Sequence, residues 1–131
     1  HIQLSHIYNK LGDTEQAIQK AQDAIAAKDD NPGFYFHLGN LLTKNGDLEG
    51  AKEAHEKAIS LDPSIPGPHI QLSHIYNKLG DTEQAIQKAQ DAIAVKDDNP
   101  GFYSHLENLL KKIGNLEGAK EAQAKAIALA G

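Results

Sequence analysis

Apolar residues return along this chain at helical intervals, and the pattern they make is itself repeated. Between residues 70 and 79 the apolar positions are Ile70, Leu72, Ile75, Tyr76 and Leu79, a spacing that lines one side of a helix. Gly80 follows, a residue suited to the left-handed position that ends a helix. Asp81 then reads as an N-cap, and Gln84 three residues on completes a capping-box pattern. A second helix is predicted from Thr82 to Lys96, with Ala85, Ile86, Ala89, Ala92 and Ile93 on one stripe. Asp97, Asp98 and Asn99 break it, and Pro100 opens the next helix at its first turn, where a missing N–H costs nothing. The linker from Asp62 to Pro68 does the same with more prolines. No alternating run of the kind that makes β-strands occurs.

The pattern has two periods. Residues 1–63 align with residues 69–131 at an offset of 68; the first 26 residues of each copy are identical and only 11 of the 63 aligned positions differ. Inside each copy a weaker repeat of 34 residues carries Leu4, Leu38, Leu72 and Leu106, then Gly12, Gly46, Gly80 and Gly114, then Ala17, Ala51, Ala85 and Ala119, and finally Ala24, Ala58, Ala92 and Ala126. The chain therefore reads as one domain, 1–131, of four units: 1–31, 32–65, 66–99 and 100–131. Each unit predicts two helices and a tight turn. A single hairpin cannot bury its apolar face alone, so the units are expected to stack, with Ala and Gly at the closest helix contacts and Leu and Tyr between hairpins.

This pattern resembles the tetratricopeptide repeat over essentially the whole chain. Numbering each unit over the family's 34 positions, position 7 is Leu and positions 20 and 27 are Ala in every unit. Position 8, small in the family, is Ser5, Gly39, Ser73 and Glu107; position 11 is Tyr8, Leu42, Tyr76 and Leu110. The resemblance implies an all-α fold, a right-handed α-solenoid of four antiparallel helix hairpins. Departures fall at position 24, which is Ala21, His55, Ala89 and Gln123, and at position 32, where proline survives only as Pro63. Glu107 and Ser104 make the last unit more polar, as a capping repeat would be, while Ile113 and Ala124 run the other way. The last helix is expected to present Ala122, Ala126 and Ile127 at an open end. Stacking of that end on another chain's start would be a heterologous contact.

Composition narrows the function. With 13 Lys, no Arg, 18 Asp and Glu and a formal net charge of −5, the chain is a poor candidate for gripping nucleic-acid phosphates. The absence of Cys removes disulfides, thiolate metal sites and cysteine nucleophiles. No stretch is long and apolar enough to span a bilayer and no signal peptide is visible, so a cytoplasmic protein with no membrane partner is expected. There is no Met, so His1 reads as the start of a fragment, a processed chain or a trimmed one.

Little in the sequence suggests a reaction. Seven histidines invite a metal reading, but His69 and His74 are five apart rather than on one i, i+4 face. Ser5-His6 and Ser73-His74 are adjacent and face different ways on a helix, which does not make a nucleophile and base. Asp29-Asp30 and Asp97-Asp98 read as turn and capping residues. No catalytic, cofactor or metal site is expected, and the protein is expected not to be an enzyme.

The resemblance implies a binding face instead. In the family the first helix of each hairpin lines a concave groove. Carried over, that face holds Ile2, His6, Asn9 and Lys10; Phe36, Asn40, Thr43 and Lys44; Ile70, His74, Asn77 and Lys78; and Ser104, Asn108, Lys111 and Lys112. Asn side chains donate and accept at once, so a row of them suits the backbone of an extended peptide. The lysines favour an acidic or carboxylate-bearing ligand, and Ile2, Phe36 and Ile70 would be apolar anchors. The carboxylate clamp that some members use against a chaperone tail is disfavoured, because those same three residues and Ser104 stand where it needs Lys. The leading expectation is a protein–protein interaction scaffold holding an extended peptide or partner helix. A second is an engineered or duplicated array whose role is stacking or end-to-end self-association. A third is the repeat arm of a larger enzyme.

Overall fold

The computed structural model describes the backbone of residues 2–27 and 31–131 and the side chains of residues 13–27 and 31–131. Asp29 and Asp30 lie outside the described residues. Among those described there are seven helices and no strand: α1 (Ile2–Ala27), α2 (Pro32–Lys44), α3 (Leu48–Leu61), α4 (Pro66–Lys78), α5 (Thr82–Val95), α6 (Pro100–Lys112) and α7 (Leu116–Ala130). They fall into two compact units, His1–Asp62 and Pro63–Gly131.

The second unit holds two hairpins, α4–α5 and α6–α7, with α5 packed on α6. Each hairpin turn is made by a glycine in the left-handed region, Gly80 at φ +88° and Gly114 at φ +80°. The amide that follows reaches five residues back: Asp81 N donates to Tyr76 O and Asn115 N to Leu110 O, both at 2.9 Å. These bonds satisfy carbonyls that the helix end would otherwise orphan. The next helix starts at once, because Asp81 Oδ1 accepts from Gln84 N at 3.2 Å and Asn115 Oδ1 from Gly118 N at 2.9 Å. Proline opens α4 and α6, and Asn99 Oδ1 caps α6 through Gly101 N at 2.8 Å. The predicted boundaries hold here to within a residue or two.

The core is built from small residues on the second helix of each hairpin. Ala85, Ala89 and Ala92 are wholly buried. Ala85 and Ala89 cluster with Leu109, and Ala92 with Ile70 and Phe102. Side chains this small let helix axes approach closely, and the apolar bulk then comes from Leu72, Ile75 and Leu109, each almost wholly buried. At the chain's last helix, Ala122 and Ala126 prove to be buried; of the three residues expected at an open end only Ile127 is exposed, at 64%. Their stripe faces α6, and Ile127 lies off it.

The first unit holds one hairpin, α2–α3, with α1 packed on α2. Its turn repeats the geometry above, with Gly46 at φ +86° and Asp47 N donating to Leu42 O at 2.9 Å. The expected first hairpin, however, is a single 26-residue helix. Gly12 and Asp13, which correspond to the turn residues Gly80 and Asp81, are carried inside α1. A glycine in a helix interior costs only ~1 kcal/mol, so the local sequence tolerates either form and tertiary contacts decide. The turn at Gly80 is backed by contacts to residues outside the identical segment. His69 Nε2 donates to Pro63 O at 2.9 Å, and His105 and Lys112 hold Ser73 and Asn77.

Candidate binding surface

The first helices of the second unit's hairpins, α4 and α6, are joined by polar contacts rather than by apolar packing alone. Lys112 Nζ donates to Asn77 Oδ1 at 2.6 Å. Deeper in, the Ser73 hydroxyl donates to Ala85 O, so its oxygen accepts from His105 Nε2 at 2.8 Å, which fixes the His105 tautomer. The His105 ring in turn stacks on His74, centroids 4.0 Å apart and tilted by 40°. Burial, and after it the neighbouring His74, lower the His105 pKa to about 4. His74 is itself lowered by desolvation and then by Lys78. Both rings are therefore neutral at pH 7, and the positive charge of this surface comes from Lys78, Lys111 and Lys112.

The expected groove residues divide into three groups. His74, Lys78, Ser104, Asn108, Lys111 and Lys112 are exposed and Asn77 is half-buried, all on α4 or α6. In the first unit, Phe36, Asn40 and Thr43 are half-buried and Lys44 exposed on α2. The Thr43 hydroxyl is occupied by Gly39 O at 2.9 Å. The side chains of Ile2, His6, Asn9 and Lys10 lie outside the described residues. One expectation fails outright: Ile70 is no surface anchor, being 8% exposed and packed with Ala92 and Phe102. Phe36 is engaged too, its ring 5.5 Å from that of His55. Lys111 is ion-paired to Glu107 at 2.9 Å. Glu107, expected to solubilise an end, is thus a largely covered carboxylate neutralised by its own helix.

Two features escaped the sequence reading. His55 is wholly buried, and among the described residues neither ring nitrogen has a hydrogen-bond partner. Its ring fills the space above Gly39, where a Cβ would meet Nε2 at 2.5 Å. Desolvation brings its pKa down to about 4. The signal was available: positions 8 and 24 vary together, Gly39 with His55 and Ser73 with Ala89, a large ring only where the facing residue has no side chain. The other feature is a pair of cavities. One, about 290 Å³, lies in the first unit between Ala17, Lys20, Ala21, Ala24, Phe34 and His37. The other, about 820 Å³, lies in the second unit, with Tyr103, Leu106, Leu110 and Ala122 among its lining. No group of three or more His, Cys, Asp or Glu suited to a metal occurs among the described residues, and no described helix is long and apolar enough to cross a membrane.

Two tetratricopeptide repeat sequence models match the chain, one over residues 33–65 and the other over residues 1–31 and 68–99. No curated protein matches the chain in sequence. Among solved structures the chain is similar to the crystal structure of MamA, with a TM-score of 0.86 at 20% identity over 97% of this chain and 74% of that one. It is also similar to MamA 41-end from Desulfovibrio magneticus RS-1, with a TM-score of 0.81 at 18% identity over 97% and 72% of the two chains. A third similar structure is a thermophilic TPR protein of Thermus thermophilus, TTC0263, with a TM-score of 0.75 at 25% identity over 97% and 71%. The two MamA likenesses are likenesses of fold.

Proposed function

Because the chain belongs to the tetratricopeptide repeat family, whose members serve in protein interaction, we propose that it is a non-enzymatic scaffold holding an acidic, extended peptide along the exposed face of α4 and α6. The observation that carries this reading is the Lys112–Asn77 bond of 2.6 Å. It brings a donor-rich ammonium and an amide from successive repeats to one place, with Lys78 and Asn108 exposed on the same two helices. An amide so placed can pair with a peptide backbone, and the lysines supply the charge that selects a carboxylate-bearing ligand. Lys111 contributes less, since it must first leave Glu107. Asn40 and Lys44 present the same residue types on α2 of the first unit.

The test is fluorescence anisotropy with a labelled decapeptide rich in Asp and Glu, against a Lys- and Ser-rich peptide of equal length. Binding of the acidic peptide only, weakened as salt is raised, is the expected result. Replacing Asn77 and Lys112 together by Ala should reduce affinity at least about tenfold, the worth of one or two charge-assisted hydrogen bonds, with the melting temperature nearly unchanged. Equal binding by the variant, or none by the wild type at low salt, would overturn the assignment of this face.

A further inference from the structure

The cavity in the first unit is lined by a stripe whose sequence occurs a second time in the chain. Residues 13–26, in α1, are identical to residues 81–94, which form α5 and its cap. On α5 the small stripe Ala85, Ala89 and Ala92 is wholly buried between α4 and α6. On α1 the same residues are Ala17, Ala21 and Ala24; Ala17 and Ala24 are only half-buried and all three line the cavity of about 290 Å³. In the second unit α6 packs Leu109 and Phe102 on this stripe, as α2 packs Leu38 on Ala21 in the first; the rest of the cover is residues 70–78 of α4, and the identical sequence occurs at residues 2–10. In α1 that segment runs straight on from the stripe it would cover, because Gly12 is helical rather than a turn. A continuous helix cannot fold back on its own face. At 1.5 Å per residue, residues 2–12 project roughly 16 Å beyond it.

We propose that the α1 segment Ile2–Leu11 of one molecule occupies this seat in a second copy of the chain, and receives the same segment in return, giving a reciprocal, domain-swapped dimer. The seat is fitted to this segment beyond its apolar stripe. In the second unit α4 is held by His105 on Ser73 and by Lys112 on Asn77. The seat in the first unit carries His37 and Lys44 at the corresponding positions, both exposed, and His37 lines the cavity. The incoming segment carries Ser5 and Asn9 where α4 carries Ser73 and Asn77. A swapped dimer therefore remakes, between molecules, the polar contacts that join α4 to α6 within one, and requires no surface evolved for the purpose. This contact is symmetric and closes on itself, unlike stacking of one chain's end on another's start.

The chain has no cysteine, so a disulfide can report the partner directly. Ser5→Cys combined with His37→Cys is oxidised at a concentration where light scattering finds dimer, and the linked peptides are mapped. A covalent dimer joined from residue 5 to residue 37 is expected. An internal 5-to-37 disulfide in a monomer would overturn the swap, showing that each chain fills its own seat. Failure of 5 and 37 to link at all would overturn the seat itself. Independently, Gly12→Ala, which disfavours the left-handed turn, should raise the dimer association constant roughly tenfold. Thr14→Pro, tolerated at the start of a helix but not inside one, should abolish dimer. Light scattering that finds only monomer at every concentration, for the wild type and Gly12→Ala alike, would also overturn the proposal.

Discussion

Residues 2–26 and residues 70–94 are one sequence in two backbone structures. The second copy closes into α4 and α5 around Gly80, and the first runs through Gly12 as the uninterrupted helix α1. Nothing local separates them, since every capping residue and every apolar position is shared. What differs is what lies around them. The second copy is gripped from outside by Pro63, His105 and Lys112, and its alanine stripe is buried between α4 and α6. The lesson is that in a helical repeat the turn signal permits a hairpin, and the neighbours enforce it.

The strongest way to break this comparison is to put one charge into both copies. Ala85→Glu places a carboxylate at a wholly buried helix contact with no partner, and should cost about 3–5 kcal/mol, seen as a large fall in melting temperature. Ala17→Glu is the same change in the same sequence, at a half-buried position. In dilute monomer it should cost under ~1 kcal/mol. Equal losses would mean that the first copy closes as the second does.

That contrast also marks how far the sequence was legible. The all-α class, the 34-residue period, the glycine turns at Gly46, Gly80 and Gly114 and the caps at Asp81 and Pro100 followed from spacing and residue type, because each is a local device. The continuity of α1 did not follow, because both forms satisfy the same local rules. Of the residues expected on a binding face, the polar Asn77, Lys78, Asn108 and Lys112 lie accessible on α4 and α6. The exposure expected of Ile70 was not legible, since an apolar residue on a first helix looks the same in sequence whether it faces solvent or Phe102. His55 was missed because a histidine among the alanines of an apolar stripe reads as a polar departure until its facing glycine is noticed.

A second way to sharpen the comparison uses the positions where the units differ. The first has Gly39 beneath His55, and the second has Ser73 and Ala89 at the corresponding positions. Gly39→Ser should destabilise by about 1–3 kcal/mol through overpacking against the His55 ring. Adding His55→Ala, which copies the second unit, should recover much of that loss, a coupling that a double-mutant cycle in denaturant would read. The pair also predicts a pH dependence. His55 titrates near 6.5 when unfolded and at about 4 when folded. Between those values the unfolded chain binds a proton that the folded chain refuses, so stability falls as pH drops through the window, by on the order of 3 kcal/mol from this residue. Above pH 7 it contributes no slope. The double variant should flatten the part of the profile due to His55 and leave the part due to His105, which is also lowered to about 4.

The smallest expected effect is the most discriminating, because its sign reverses between copies. Gly80 sits at φ +88° with open space where a Cβ would go, so the only cost of Gly80→Ala is conformational: an L side chain forced into the left-handed region, about 1–2 kcal/mol. Gly12 lies inside a helix, where Gly12→Ala should stabilise by ~1 kcal/mol through its higher helix propensity. Thermal melts of the two single variants at one concentration should therefore move in opposite directions from the wild type. If both fall, Gly12 makes a turn in solution and the two copies share one structure. If Gly12→Ala rises while Gly80→Ala falls, a single sequence holds two backbone conformations in one molecule, and the glycine at each reports which one its surroundings have selected.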